Sequence, residues 1–354
     1  MIKVLVINIQ SQGGGAEASL ANLIETTTKE YFGLQIDVLS KDKCDKQSPK
    51  AAKIFSYIDF LIRIRRKGRN YDFIMAGVEG IPFILSCIAF LGLKRAPRLI
   101  LWLHCVPSQY LQFLNLTNRV AVWFSISLAK NIICAAKIEA VHQKEIGRNS
   151  FFLPNVRKGS LHGSFSESTG VLPELVYIGS LAPLKQPLKT VEVLNKLIKS
   201  THLNYKLDIY GSGVLFDELR KEINCSNLDG SVTLHGFIAN PWSRILPRSI
   251  LLLPSLTEAT PMVVLEAIEN GCIVIANRYV GSEYFERHDG LFTVVSFSDI
   301  DSVVNLIEKV LNWGPVELAE RTLKSQLFIE EAFDSKVSIN KLMCYLRDFK
   351  NKEN

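Results

Sequence analysis

The feature that most constrains this chain is the run from Ile250 to Ala276. It opens with apolar Ile250-Leu251-Leu252-Leu253-Pro254 and passes through Ser255-Leu256-Thr257-Glu258-Ala259-Thr260-Pro261-Met262-Val263-Val264-Leu265-Glu266-Ala267. It closes with Gly271 and apolar Cys272-Ile273-Val274-Ile275-Ala276. This pattern predicts strand, loop, helix, strand, one unit of a parallel α/β sheet. Thr260 stands where an N-cap is expected, Pro261 suits a first helical position and Gly271 suits a helix end. A helix entered from the C-terminal edge of a buried strand lies where open α/β sheets bind ligands. Its first-turn amides, at Met262 and Val263, and its dipole favour an anion such as phosphate. Glu258 precedes the helix and Glu266 lies about a turn and a half inside it. A phosphate at the amides would have a carboxylate on each side, each able to accept hydrogen bonds from hydroxyls. That fits a sugar on one flank of a diphosphate and a ribose on the other. Two solvated helix glutamates remain the alternative on this stretch alone.

With 354 residues, 47% apolar and 21% charged, the chain has room and composition for two globular domains. Seven cysteines, at 44, 87, 105, 134, 225, 272 and 344, form no Cys-x-x-Cys pair. They read as buried free thiols in a reducing compartment, neither a disulfide frame nor a zinc site. Met1-Ile2-Lys3 leads straight into a strand, so no signal peptide is expected, and the apolar run Ile81–Leu91 is too short to span a bilayer. The expectation is a soluble, cytoplasmic protein. Its net charge of +6 is uneven: residues 1–160 carry 22 Lys and Arg against 11 Asp and Glu, and the remainder 19 against 24. A basic half suggests an anionic partner, nucleic acid or a membrane surface, with a merely solvated surface as the alternative. The basic region lacks interleaved aromatics and any nucleic-acid motif, so nucleic acid is not expected.

The Glu-x7-Glu spacing inside Pro254-Ser255…Glu258…Pro261…Glu266-Ala267…Gly271 resembles the signature of the family 4 retaining glycosyltransferases, which have the GT-B fold. The resemblance extends over nearly the whole chain. It implies an α/β protein of two Rossmann-like parallel-sheet domains facing across a cleft. Residues 1–160 would form the N-terminal, acceptor-side domain and 161–335 the C-terminal, nucleotide-sugar donor domain. The amphipathic segment of about 336–350 would cross back onto the first. The Gly/Ser-rich stretch 158–170 reads as the linker.

In the first half, strand Ile2–Ile9 feeds Gln10-Ser11-Gln12-Gly13-Gly14-Gly15 and a helix from Ala16 to about Tyr31. Gly-x-Gly-x-x-Gly and a Walker lysine are both missing, so the loop is neither a dinucleotide fingerprint nor a P-loop. Gly14-Gly15-Ala16-Glu17 resembles the family's glycine loop facing the donor, although a tight strand-to-helix turn would read the same. A helix over Ile54–Lys67 has Ile54, Ile58, Leu61 and Ile62 at helical spacing and ends in Arg63-Ile64-Arg65-Arg66-Lys67-Gly68-Arg69. Cations complement a helix end, yet five in seven residues exceed that need and suggest attraction to anionic headgroups. His104 follows strand Leu99–Leu103, and Trp102-Leu103-His104 resembles the family's strand-end histidine near the donor sugar.

In the second half, strand Leu175–Ile178 leads to Gly179-Ser180-Leu181-Ala182-Pro183-Leu184-Lys185, which is similar to the family's Gly-Arg-Leu…Lys loop. Lys185 would neutralise the leaving diphosphate. Ser180 replaces the usual arginine, removing a planar bidentate phosphate donor. Lys189 and Arg244 are the substitutes to consider. Gly211 after strand Leu207–Tyr210, and Gly236-Phe237 after Ser231–Leu234, resemble positions near the nucleotide, with the base against Phe237. Asp299-Ile300-Asp301 looks like a metal-binding D-x-D, but its place at a helix start points to capping.

The resemblance implies a retaining transfer from a nucleotide-diphosphate sugar, a UDP-sugar favoured and a GDP-sugar possible, with no cofactor and no metal. Glu258, Lys185 and His104 would be the catalytic set. Gly14, Gly15, Gly179, Ser180, Gly211, Gly236, Phe237, Pro261, Met262, Val263 and Glu266 would hold the donor. The expected acceptor is a lipid-linked or polysaccharide glycan of bacterial surface polysaccharide, O-antigen or lipopolysaccharide assembly. Peripheral attachment to the anionic inner membrane, on its cytoplasmic face, would accompany it. A nucleotide-sugar epimerase or hydrolase on the same fold, and a non-catalytic sugar-nucleotide-binding protein, are the alternatives.

Overall fold

A computed structural model describes residues 1–9, 15–29, 33–41, 50–93, 96–157, 173–286 and 288–351. The chain divides into two compact units, Met1–Lys158 with Phe333–Asn354, and Gly159–Ala332. The first begins with β1 (Ile2–Ile9), α1 (Gly15–Lys29), β2 (Leu34–Lys41) and α2 (Lys50–Gly68). Next come β3 (Phe73–Ala76), α3 (Ile81–Phe90), β4 (Arg98–Leu103) and the short α4 (Pro107–Tyr110). Then follow α5 (Leu116–Leu128), β5 (Asn131–Cys134), α6 (Lys137–Glu145) and β6 (Asn149–Phe152). The six strands are parallel, in the order β2-β1-β3-β4-β5-β6.

A parallel sheet covered on both faces needs apolar residues at odd and even positions alike, and alternation decides which helix each one meets. Val4, Val6, Phe73, Met75, Ile100 and Trp102 share a core with Leu20 and Leu23 of α1. Leu5, Ile7 and Ile74 pack instead with Phe60 and Ile64 of α2 and with Ala89 and Phe90 of α3. Leu101, Leu103 and Ile132 meet Phe83 of α3 and Val122 and Ile126 of α5. The period of two therefore puts α1 on one face and α2, α3 and α5 on the other.

The second unit runs β7 (Leu175–Ile178), α7 (Leu188–Thr201), β8 (Leu207–Tyr210), α8 (Phe216–Cys225) and β9 (Val232–Gly236). It continues with β10 (Ile250–Leu253), α9 (Met262–Glu269), β11 (Ile273–Asn277) and the short α10 (Glu283–Glu286). β12 (Phe292–Val295), α11 (Ile300–Leu311) and α12 (Pro315–Phe333) follow. Its strands are also all parallel, in the order β12-β11-β10-β7-β8-β9. The last helix, α13 (Ser335–Asn351), belongs to the first unit. There Ile339, Leu342, Met343 and Leu346 join the core on the α1 face, and Lys350 Nζ reaches Asp72 Oδ1 at 2.7 Å.

Some expectations need correction. In α2 the positions that carry the helical spacing are not the core stripe: Ile54, Ile58 and Ile62 face solvent, while Phe60 and Ile64 point inward. Two thiols expected to be buried, Cys225 and Cys344, are exposed, because each lies on the outer side of an amphipathic helix. Gly13, Gly14, Cys44 and the stretch 158–170 lie outside the described residues.

Candidate functional site

In the second unit the strand order reverses between neighbours β7 and β10. The chains leaving them diverge there, which opens the crevice where doubly wound sheets take ligands. The loop after β7 carries Gly179, Ser180 and Lys185, and the loop after β10 carries Glu258 and Pro261. A backbone bond from the Leu256 amide to the Leu184 carbonyl, 3.0 Å, ties the loops together. Lys185 Nζ lies 2.6 Å from Glu258 Oε1, with side chains 25% and 12% exposed. Two residues 73 positions apart thus form one ion pair at the crevice.

The glycines serve backbone approach. The Gly179 amide donates to the Tyr210 carbonyl at 3.0 Å, and the Gly211 amide to the Gly236 carbonyl at 2.8 Å. Gly211 has φ +154°, and a Cβ there would run into the Gly179 carbonyl. The Tyr177 hydroxyl donates to the Ser180 carbonyl at 2.8 Å and pins the loop from below, while the Ser180 side chain is exposed.

The helix start differs by one residue from expectation. Pro261, at φ −71° and ψ 117°, is the cap, and Met262 is the first helical residue. The Val264 amide turns back to the Pro261 carbonyl at 3.1 Å, making a tight first turn. Met262 and Val263 then hold the first positions, whose N–H groups have no intrahelical acceptor. At the far end Gly271, at φ +69°, closes the helix as expected.

Glu266 is largely enclosed. Its Oε2 accepts from the indole Nε1 of Trp242 at 2.9 Å. Burial raises the Glu266 pKa above the ordinary carboxylate value, the Trp242 bond opposes that rise, and Glu269 adds to it. Nothing in the sequence points to Trp242. It sits on a single 3-10 turn, Pro241–Arg244, and nothing local ties it to a carboxylate 24 positions on. On the same turn Arg244 acts electrostatically on Tyr210, next to Gly211. Lys189, the other substitute cation, is engaged with Glu192 at 2.7 Å. Phe237 is 64% exposed at the end of β9. Asp299 caps α11 by accepting from the Ser302 amide at 3.2 Å, and Asp301 pairs with Lys196 at 2.7 Å. Among the described residues no three His, Cys, Asp or Glu side chains are grouped to hold a metal.

In the first unit His104 directly follows β4, its ring 4.7 Å from that of Trp102. Both ring nitrogens are shut off from solvent. Burial pushes the imidazole pKa down, against Glu79, Asn155 and the Gly77 backbone, so the ring is neutral at pH 7. The His104 amide donates to Glu79 Oε2 at 3.3 Å. Gly15 opens α1 and is exposed.

Two doubly wound sheets, one with a helix start of the kind that receives phosphate, are the setting of a nucleotide-binding α/β protein, and comparison with known proteins narrows it. The family described as "Glycosyl transferases group 1" matches residues 166–325. The chain is 30% identical over 335 residues to an α-1,4-N-acetyl-D-galactosaminyltransferase of Campylobacter jejuni that acts on a diNAcBac-PP-undecaprenol glycan. That match covers 88% of this chain and 89% of the relative. The chain belongs to the group 1 glycosyl transferases. A second relative, the poly(glycerol-phosphate) α-glucosyltransferase of Bacillus subtilis, is 30% identical over 129 residues, 36% of this chain. The match spans only 19% of that relative's own length. The fold is that of Anabaena HepE, solved with UDP and glucose: TM-score 0.74 at 17% identity, over 98% of this chain and 100% of that one. The architecture is therefore GT-B, and no described helix is long and apolar enough to cross a membrane.

Proposed function

We propose that this glycosyltransferase moves a sugar, with retention at the anomeric carbon, from a nucleotide-diphosphate sugar to a lipid-linked or polysaccharide acceptor. A UDP-sugar is the favoured donor. What supports the reading is the crevice itself: Lys185 pairs with Glu258 in the loop that leads into the helix opening at Met262 and Val263, and that helix carries the enclosed Glu266. The donor diphosphate would rest on those amides. Lys185 would leave Glu258 to neutralise the departing charge, the main barrier term in such a transfer. Glu258, freed of its partner, would accept from the sugar hydroxyls, and Glu266 from the ribose. Arg244, near enough to act electrostatically on Tyr210, would supply the second cation in place of the arginine that Ser180 replaces. The acceptor oxygen attacks C1 on the face that the diphosphate leaves. The C1–O bond breaks, and a phosphate oxygen takes the acceptor's proton, so no protein base and no metal is needed.

The acceptor reading rests on chemistry that the relatives' names state of themselves: an undecaprenyl-diphosphate-linked glycan for one, poly(glycerol phosphate) for the other. With the basic first half it favours a membrane-held, anionic acceptor in surface polysaccharide, O-antigen or lipopolysaccharide assembly. Thermal-shift screening of UDP-, GDP- and ADP-sugars tests the donor. Mass spectrometry of products formed with a lipid-linked acceptor tests the transfer. Stabilisation by a UDP-sugar and a product one sugar heavier are expected; release of free sugar or an epimer without acceptor would sink the reading. His104→Ala, expected to lower kcat, tests whether the first unit takes part.

A further inference from the structure

We infer that the outer face of α5, with its neighbour α3, is a docking surface for an anionic lipid bilayer. Leu116, Val120, Trp123, Phe124 and Leu128 are 74%, 54%, 59%, 44% and 43% exposed. Their spacing of three and four sets them in one stripe. The opposite side of α5 is already committed to the core through Val122 and Ile126. A helix apolar all round is normally enclosed, and single exposed apolar residues are common, but five on one helix of 13 residues mark a surface meant to be covered. α3, which packs on α5 through Phe83, carries two more exposed apolar residues at its far end, Ile88 and Leu91, 49% and 77% exposed.

Charge says what covers it. Residues 80–138, which contain both helices, hold six Lys and Arg and no Asp or Glu. α2 lies beside α3 on the same face and ends in exposed Arg66 and Lys67, with exposed Arg69 just beyond. Apolar and aromatic side chains on a face of the unit that also carries cations and, over residues 80–138, no acids match the boundary between headgroup and acyl chain in an anionic leaflet. A second copy of this chain would set the same cations against each other across a two-fold contact, which disfavours self-association. Arg65 has a structural duty, donating to the Ala89 carbonyl of α3 at 3.1 Å, so Arg66 and Arg69 are the cations free of that constraint.

This surface deepens the reading of a membrane-held acceptor, and its test uses neither donor nor acceptor, so the two can fail separately. Co-sedimentation of the full chain with phosphatidylglycerol/phosphatidylethanolamine vesicles should show binding that phosphatidylcholine vesicles do not. The double variant Trp123→Glu, Phe124→Glu should bind roughly tenfold or more weakly, with an unchanged Tm because both sites face solvent. Quenching of tryptophan fluorescence by brominated lipid should be lost in Trp123→Phe. Undiminished vesicle binding by the double variant would overturn the assignment. So would a wild-type protein that ignores anionic vesicles, or a dimer in sedimentation equilibrium that the double variant dissolves.

Discussion

Glu266 combines a functional demand with a cost to the fold. Its carboxylate is buried and its pKa raised, so the folded protein holds a proton there more tightly than the unfolded chain does. Ionisation therefore disfavours folding above the raised pKa, and the effect vanishes once the pH falls below the ordinary carboxylate value, where both states are neutral. Glu266→Gln keeps an acceptor for the Trp242 indole and removes the charge. It is expected to raise Tm at pH 7.5, to lose that gain near the acid end, and to abolish transfer, all readable by calorimetry and an activity assay. In the wild type, donor KM should rise as the pH falls through the Glu266 pKa. Trp242→Phe leaves the carboxylate oxygen without its donor, a loss of about 1–3 kcal/mol. Because Trp242 holds Glu266 and not the reacting atoms, donor KM should rise more than kcat falls. Lys185→Ala should instead lower kcat by roughly 10²–10³-fold, since its charge is needed as the diphosphate departs. The glutamates could be read from their spacing around Pro261, and Lys185 from the resemblance of the loop Gly179–Lys185 to the family's. Trp242 could not, because a contact between a loop and a helix leaves no periodic trace.

Among elements, the turn after β8 is the least tolerant. Gly211 is held at φ +154° against the Gly179 carbonyl, so any side chain meets backbone and cannot be relieved by a rotamer change. Gly211→Ala is expected to cost roughly 2–5 kcal/mol, measured by denaturant unfolding, and to weaken nucleotide binding with it. The strand–loop–helix pattern around α9 was legible because buried parallel strands leave unbroken apolar runs. Its exact start was not: the rules for a cap and for a first helical residue point to Thr260 and Pro261, whereas the extended ψ of Pro261 and the bond from the Val264 amide to its carbonyl set the start one residue later. The same limit appears in α2. Apolar spacing of three and four identifies a helix but not its inward side when both sides are apolar, and the sheet below selects Phe60 and Ile64.

At the scale of the whole molecule the final helix is part of the first unit's core although it follows the second unit in sequence. Ile339, Leu342, Met343 and Leu346 each remove an apolar side chain from water, about 1.5–3 kcal/mol apiece. Burial alone would raise the Asp72 pKa, but its bonds to Lys350 and to the Lys3 amide outweigh that and lower it. Leu342→Ala should destabilise the first unit by about 2–5 kcal/mol. A chain ending before Ser335 should express as aggregate or lose the cooperative melting of that unit in calorimetry.

The sequence alone determined the two parallel sheets, the family and the cluster of charge around one helix start. The sheets follow from local periodicity, the charge around the helix start from residues close together along the chain, and the family from the resemblance of those residues to its signature. Tertiary structure decided the pairing of Lys185 with Glu258, the indole under Glu266, the side of α2 that is buried and the unpartnered face of α5. Each of these depends on which distant segment the sheet order brings alongside, and a strand's pattern names its faces without naming its neighbours.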